Sequence, residues 1–229
     1  MMLVRCSSLG KIMTNARSKK EVLSKTAKTY VKQTLLDDEF GIKNEFWSRY
    51  TDKGNEVEIN SINLCNEVLD FGFMYKNEER FTNKYITGEP DIITDVVVDI
   101  KSSYDASTFP MFEEELPNKD YFYQVQGYMW LTGKRKAYIA YCLVDTPQQI
   151  VEDEIRREHW KQQKIDECLD IREYVQSKHQ FSHIPKENRV KLFRVDYDKE
   201  VIQSIKTRIE ECREYYNELK AKLTLNVEQ

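Results

Sequence analysis

The chain has 229 residues, 40% of them hydrophobic and 32% charged, and its formal net charge is −4. This length allows one sizeable core, no apolar run approaches the ~18 residues of a membrane span, and the net acidity argues against a general nucleic-acid binder, although not against an enzyme whose carboxylates bind metal. Five dispersed cysteines without a CxxC pair argue against zinc and iron–sulfur sites and are typical of thiols in a reducing cytoplasm.

The first third of the sequence is predicted to be helical. Residues 18–36 predict one helix with Ser18 as its N-cap, and residues 51–72 predict a second helix that ends before Gly72. Apolar residues recur at helical spacing in both segments. The predicted buried positions are Val22, Ala27, Val31 and Leu35 in the first helix, and Val57, Asn60 or Ser61, Leu64 and Val68 in the second.

The middle third alternates strands with a helix. Residues 90–100 predict a β-hairpin, residues 118–134 a helix, and residues 136–145 a strand buried on both faces. The turn and cap residues assigned to these elements are Thr94 and Asp95 for the hairpin, Asn118 or Asp120 for the helix start, and Gly133 for the helix end. This order of elements indicates an α/β fold with a central mixed β-sheet flanked by helices.

The last third is highly charged. Residues 148–176 carry acids and bases at helical spacing, residues 190–196 predict an edge strand, and residues 198–223 predict a final amphipathic helix. The core-facing positions of that helix are Val201, Ile205, Ile209, Cys212 and Leu219. We see no domain boundary, so residues 1–229 are expected to form one domain with a helical N-terminal part and a charged helical C-terminal part.

Three charged residues stand in the predicted hairpin, namely Asp91, Asp99 and Lys101. Because side chains alternate along a strand, Asp99 and Lys101 share one face, while Val98 and Ile100 form an apolar row on the other. If the turn takes three residues, Asp91 lies opposite Asp99 with Cβ atoms ~5 Å apart. Two such carboxylates repel unless a cation bridges them, and Mg²⁺ suits a few carboxylates, waters and a phosphate. With Lys101 to stabilise developing charge, this pattern predicts metal-assisted phosphodiester hydrolysis.

Pro90-Asp91 followed by Asp99-Ile100-Lys101 resembles the signature of the PD-(D/E)XK nuclease superfamily. Residues 52–68 resemble the helix that supplies an acidic residue in the lambda exonuclease and YqaJ-like branch, where a glycine precedes the glutamate by four positions, here Gly54 and Glu58. Residues 120–145 resemble the helix and strand after the catalytic strand, and their Gln124 and Tyr128 fit the Gln-x-x-x-Tyr pattern of RecB-type nucleases. Order and spacing agree over roughly residues 4–146.

The resemblance implies a restriction-endonuclease-like core and a set of site residues. Glu58, Asp91, Asp99 and the carbonyl of Ile100 would hold Mg²⁺ or Mn²⁺, and Lys101 would be the catalytic lysine. Gln124 or Gln126 would position the attacking water or the scissile phosphate. Their spacing places them ~200° apart on a helix, so one of them is expected to reach the site. The lambda-type pattern favours Gln126, and the RecB-type pattern favours Gln124.

The resemblance also suggests residues that contact DNA. Arg5, Ser7 and Ser8 would approach the 5′ end of DNA, with helix capping as the alternative role, and Tyr128 would bind substrate, with core packing as the alternative. Two positions depart from the pattern. Asp99 stands where glutamate is frequent, and Glu89 stands where lambda-type enzymes have serine and would repel a terminal phosphate.

The implied activity is that of a Mg²⁺-dependent DNA nuclease, most like a phage-type exonuclease that acts on duplex ends in recombination. Its implied partners are DNA, a single-strand annealing protein and further copies of the chain in a trimeric ring, in the cytoplasm of a host if the protein is phage-encoded. The alternatives are a structure-specific endonuclease, a non-catalytic nucleic-acid-binding module on the same fold, and a small helical scaffold. Four residues in the loop after Lys101 would either wedge into a nucleic-acid end or anchor the loop, namely Tyr104, Phe109, Met111 and Phe112.

Overall fold

The computed structural model describes residues 2–43, 49–164 and 166–225, and its strands form two sheets. The strands are β1 (Val4–Arg5), β2 (Phe81–Thr82), β3 (Ile86–Gly88), β4 (Ile92–Ile93), β5 (Val97–Ser102), β6 (Lys136–Cys142) and β7 (Val190–Asp196). The larger sheet has the order β4-β5-β6-β7, with a parallel β5–β6 pair between two antiparallel pairs. This confirms the predicted mixed sheet and the position of residues 190–196 at its edge.

A second, three-stranded sheet has the order β1-β3-β2 and was not predicted from the sequence. Its strands are two or three residues long, too short for an alternating pattern to identify them. β3 ends at Gly88, three positions before Asp91, so this small sheet fixes the approach of the chain to the hairpin.

The helices surround the larger sheet. They are α1 (Leu9–Met13), α2 (Lys25–Phe40), α3 (Arg49–Val68), α4 (Lys119–Thr132), α5 (Gln148–Lys161), α6 (Leu169–Ser177) and α7 (Lys199–Leu225), with 3-10 turns at Cys6–Ser8, Ala106–Thr108 and Lys186–Arg189. The charged stretch 148–176 therefore contains two helices, α5 and α6. Within the described ranges, no helix combines the length and apolar character that crossing a membrane requires.

The start of α2 differs from the prediction. Ser24, not Ser18, is the N-cap, and its side chain accepts a hydrogen bond from Ala27 N at 3.0 Å. Ser18 instead belongs to a turn in which its carbonyl accepts from Glu21 N at 3.1 Å. Val22 consequently lies outside the helix and is exposed, whereas the other three predicted core positions of this segment are buried.

The predicted ends of the other helices agree well with the structure. Asn118 caps α4 by accepting from Asp120 N at 2.9 Å, and Gly133 ends it in the left-handed region at φ 73°. Gly72 also has a positive φ beyond the end of α3, as the sequence predicted. Of the two alternatives on α3, Ser61 is the buried one.

The larger sheet is covered on both faces, and this places the charged hairpin between two hydrophobic clusters. One face packs against α4 through residues such as Val97, Ile139 and Phe193, and α4 in turn packs against α7. The other face packs against α3 through Val98 and Ile100. On α7, the core positions Ile205, Ile209 and Cys212 are buried as predicted, while Val201 and Leu219 are partly buried.

Candidate active site

The β4–β5 hairpin brings two carboxylates together. Ile92 pairs with Val98 and Ile93 pairs with Val97, so the turn takes three residues and the next pair of positions is Asp91 with Asp99. Ile100 N donates a hydrogen bond of 2.6 Å to Asp91 Oδ2, which fixes the Asp91 carboxylate against β5. The register that the sequence analysis assumed is therefore observed.

Alternation along β5 then sets the partner of Asp99. Val98 and Ile100 face the α3 side of the sheet, and Asp99 and Lys101 face the α4 side. Asp99 is completely buried, and its Oδ2 atom lies 2.8 Å from Lys101 Nζ. The charged row that seemed out of place in a strand is thus a buried ion pair beside a second carboxylate.

The two carboxylates of this group carry more negative charge than the one ammonium can neutralise. Desolvation, and next the charge of Asp99, raise the pKa of Asp91 to about 7. Burial also raises the pKa of Asp99, although Lys101 acts in the opposite direction. Burial alone would lower the pKa of Lys101, but Asp99 and Asp91 outweigh it and keep the ammonium charged. The ammonium of Lys101 is thus the counter-charge for two carboxylates, and the ionised form of each carboxylate is less stable than it would be in water.

Helix α4 supplies one glutamine to this group. Gln124 Nε2 donates to Asp99 Oδ1 at 3.1 Å and to the Tyr128 hydroxyl at 2.9 Å, and its Oε1 lies 3.5 Å from Lys101 Nζ. Gln126 lies elsewhere, because its Nε2 donates to Asp196 O at 2.8 Å and its Oε1 accepts from Asp198 N at 3.0 Å. Of the two candidates, the structure brings Gln124 to the carboxylates and uses Gln126 to hold the β7–α7 connection.

Two tyrosines of α4 support these polar groups. Tyr128 is buried at 5% exposure, so it packs in the core and orients Gln124, and its ring is not available to a nucleic-acid base. The ring of Tyr121 lies 4.5 Å from Lys101 Nζ, in a cation–π contact that the sequence analysis missed. The available signal was spacing, since Tyr121 precedes Gln124 by three positions and shares its helix face.

A cavity of about 630 Å³ opens beside the hairpin and brings α3 into the site. Glu58, Asp91, Ile100 and Lys101 all line it. The carboxylate of Glu58 is ion-paired with Lys76, a cavity residue that the sequence analysis did not single out. In the described part of the chain, no three acidic, histidine or cysteine side chains converge as a ready-made metal cage. The donors facing the cavity are nevertheless carboxylate and carbonyl oxygens, the ligand type that Mg²⁺ and Mn²⁺ prefer.

The N-terminal candidates lie apart from this cavity. Arg5 and Ser7 are exposed, Ser8 is buried, and none of the three is among the cavity-lining residues. Ser8 precedes α1 without a side-chain capping hydrogen bond, so the proposed capping role is not observed either. Their contact with DNA stays a prediction.

Glu89 lies at the rim of the cavity and is not isolated. Its carboxylate is 2.7 Å from the guanidinium of Arg80. In the loop after β5, Phe109 is buried and anchors the loop, whereas Phe112 is 90% exposed. The anchoring role is therefore observed for Phe109, and the wedging role of Phe112 stays a prediction.

Comparisons with known proteins agree with this geometry. The crystal structure of a phage-related exonuclease from Haemophilus somnus 129PT is 31% identical in sequence, with a TM-score of 0.80 over 97% of this chain and 96% of that chain. The alkaline exonuclease LHK-Exo from Laribacter hongkongensis shares the fold at 14% identity, with a TM-score of 0.60 over 97% of this chain and 93% of that chain. No family model and no curated protein matches the sequence. The chain belongs to the phage-type exonuclease family, in the lambda exonuclease and YqaJ-like branch of the PD-(D/E)XK nucleases.

Proposed function

We propose that this phage-type exonuclease hydrolyses the phosphodiester bonds of DNA from duplex ends, and that it requires Mg²⁺, for which Mn²⁺ can substitute. The observation that carries the proposal is the position of Asp91 next to β5, one step beyond the Ile92–Val98 pair, beside the buried Asp99–Lys101 ion pair. Asp91 and Lys101 both line a cavity of about 630 Å³. Family membership supports the same reaction. The end preference is drawn from the relatives, whose structures are described as exonucleases.

Asp91, Asp99, Glu58 and the carbonyl of Ile100 would hold the cation. A bound Mg²⁺ would supply a more acidic water and neutralise charge on the phosphate. Glu58 would have to leave Lys76 to join this set, whereas Asp91 is already fixed by Ile100 N. The fit rests on oxygen donors of the right type and on two carboxylates whose charges are only partly compensated.

Lys101 would stabilise the charge that develops on the phosphate oxygens. Its ammonium is held from two sides, by Asp99 at 2.8 Å and by the ring of Tyr121 at 4.5 Å, so little reorganisation is needed during reaction. Gln124 would orient the same pair through its contacts with Asp99 and Lys101, and its carbonyl oxygen would accept a hydrogen bond from the attacking water.

The proposed partners follow from the family and from the charge of the chain. DNA is the substrate, a single-strand annealing protein would take over the resected strand, and a trimeric ring would gather positive potential in a channel although the chain carries a net charge of −4. All five cysteines are free thiols, in keeping with a cytoplasmic location, that of the host if the gene is carried by a phage.

The test is digestion of end-labelled linear duplexes beside a closed circle of the same sequence, with Mg²⁺ and with chelator. We expect Mg²⁺-dependent loss of the linear duplex and an intact circle. Asp91→Asn should reduce the rate by at least about 10²-fold, because it removes an anionic ligand that the protein holds in place. Asp95→Asn is the matched control, since Asp95 is exposed in the turn of the same hairpin.

The outcomes separate the alternatives. Cleavage of the circle would favour the structure-specific endonuclease. Equal rates for Asp91→Asn and Asp95→Asn would reject this site. If calorimetric titration detects no binding of Mg²⁺ or Mn²⁺, the chain is better described as a non-catalytic module on the same fold.

A further inference from the structure

Lys76 competes with the proposed metal ion for one of its carboxylate ligands. Its ammonium is ion-paired with Glu58, and both residues line the cavity. The side chain of Glu58 is 19% exposed and that of Lys76 is 44% exposed, so the pair stands at the open side of the site.

The backbone that carries Lys76 is fixed on both sides. Asn66 on α3 donates to Met74 O at 2.8 Å and accepts from Met74 N at 2.7 Å. Asn77 N donates to Asp91 O at 2.7 Å, and Asn77 Nδ2 donates to Pro90 O at 2.9 Å. The Cα of Lys76 is therefore held between α3 and the arm of the hairpin, and only its flexible four-carbon stem can move.

The other charged groups of the cavity already have partners of their own. Lys101 is paired with Asp99 at 2.8 Å, and Arg80 with Glu89 at 2.7 Å. Glu58 differs from Glu89 because its partner, Lys76, itself lines the cavity, whereas Arg80 does not. An ion pair of this exposure contributes little to stability, so a divalent cation can displace the ammonium at small cost.

We propose that Lys76 is an exchangeable counter-ion of the active site: it neutralises Glu58 until a divalent cation takes that carboxylate, and it then binds a phosphate of the DNA in the cavity. This inference rests on the proposed function, since it requires Glu58 to be a metal ligand. The released ammonium would move only a short distance to reach a phosphate, because Lys76 already lines the cavity that would receive the DNA.

The exchange links the binding of metal to the binding of DNA. With metal present, the released Lys76 contributes one additional phosphate contact. Without metal, the ammonium is engaged by Glu58 and contributes little to DNA binding. Linkage then requires DNA to tighten metal binding by the same factor as metal tightens DNA binding through this residue.

The experiment compares Lys76→Met with Lys186→Met in the full chain. Lys186 is a matched control because it also pairs with a glutamate of α3, Glu67, at 54% and 50% exposure and outside the cavity. Mn²⁺ binding is measured by calorimetry without DNA. Loss of the competing ammonium should tighten Mn²⁺ binding by about two- to fivefold in Lys76→Met and leave it unchanged in Lys186→Met.

DNA binding is measured by fluorescence anisotropy over a range of salt concentrations, with Ca²⁺ in place of Mg²⁺ and again with chelator. With Ca²⁺, Lys76→Met should bind more weakly than the parent, and its slope of log affinity against log salt should be smaller by about one. With chelator, the two proteins should bind alike. Glu58→Gln provides an independent arm, since it releases Lys76 without metal and should steepen the chelator slope by about one.

Each outcome has one meaning. Unchanged or weaker Mn²⁺ binding by Lys76→Met, or an equal loss of DNA affinity with and without Ca²⁺, would overturn the exchange and leave Lys76 with a fixed role. If the parent protein itself binds no Mn²⁺, the proposed function fails together with the inference. Circular dichroism shows whether each variant is folded, and Lys76→Arg, which keeps the charge, should behave as the parent in both assays.

Discussion

The two walls of the cavity are built differently. The wall formed by β5 and α4, here called the inner wall, presents Lys101 to the cavity. The buried side chains of Asp99 and Gln124 do not line the cavity, but both contact Lys101 and hold it in place. The wall formed by α3 and the segment after it, here called the outer wall, presents the ion pairs of Glu58 with Lys76 and Glu89 with Arg80, all partly exposed. Under the proposed function, the inner wall would keep its contacts during the reaction, whereas the ion pairs of the outer wall would exchange partners when metal and DNA bind.

The largest difference between the walls should appear on removal of their lysines. Lys101→Met leaves the neighbouring carboxylates of Asp91 and Asp99 without the ammonium that pairs with Asp99, and it should lower the free energy of unfolding by roughly 3 kcal/mol in the absence of metal. Its rate of digestion should fall by about 10²- to 10³-fold. Lys76→Met should change stability by less than about 1 kcal/mol. Urea denaturation and the end-labelled duplex assay measure the two effects.

Equal losses of stability in Lys101→Met and Lys76→Met would contradict this difference between the walls. Mg²⁺ provides a second test, because a divalent cation would replace the missing charge beside Asp91 and Asp99. The gain in stability on adding Mg²⁺ should therefore be larger for Lys101→Met than for the parent protein.

The two glutamines of α4 separate chemistry from packing. Gln124→Leu should reduce the rate of digestion by about 10²-fold, since Gln124 orients both Asp99 and Lys101. Gln126→Leu should leave the rate per folded molecule unchanged and should destabilise the protein by about 1–3 kcal/mol, because Asp196 O and Asp198 N lose their buried partner. A rate loss in Gln126→Leu at full folding would contradict this division.

The inner wall could largely be predicted from the sequence, and the outer wall could not. Alternation along a strand determines that Asp99 and Lys101 share a face, and the length of the turn determines that Asp91 lies opposite Asp99. These are local rules, and both predictions are confirmed. The partner of Glu58 depends instead on how the segment after α3 folds back along that helix, which no periodicity encodes.

Gln124 and Gln126 show where local rules stop. Helical geometry predicts that they point to opposite sides, but it does not state which side faces β5. That choice is made by tertiary packing, since α4 lies between the sheet and α7. For the same reason, no local pattern indicated that Lys53 on α3 would be completely buried.

Lys53 fixes the outer wall and provides a test by pH. It donates to Tyr104 O and to Val144 O, both at 2.9 Å, and so ties α3 to the segments that follow β5 and β6. Burial lowers the pKa of Lys53 to about 8. Between pH 8 and the normal lysine pKa of about 10.5, the unfolded chain therefore holds more protons than the folded chain, and stability due to this residue rises with pH.

The expected result is a difference between the parent and Lys53→Met that grows as pH increases from about 8 to 10, by up to roughly 3 kcal/mol. The neutral amine keeps two N–H groups for its two carbonyl partners, so the contacts survive loss of the proton. Urea denaturation at several pH values measures the difference. A difference that is constant over this range would mean that Lys53 has an ordinary pKa and that its site admits water.

The smallest effect concerns the rim residue Glu89. The sequence alone suggested that its carboxylate would repel a terminal phosphate, but the structure pairs it with Arg80 at 2.7 Å. Glu89→Gln should release the guanidinium and tighten binding of a 5′-phosphorylated duplex by a few-fold relative to the same duplex with a 5′ hydroxyl, because an exposed guanidinium–phosphate contact is worth about 1 kcal/mol or less.

Glu67→Gln, which breaks an ion pair on α3 outside the cavity, is the control and should not discriminate between the two ends. Equal affinity of Glu89→Gln for both duplexes would show that the DNA end does not reach this part of the outer wall, and it would leave Lys76 as the group of that wall that meets the phosphate backbone.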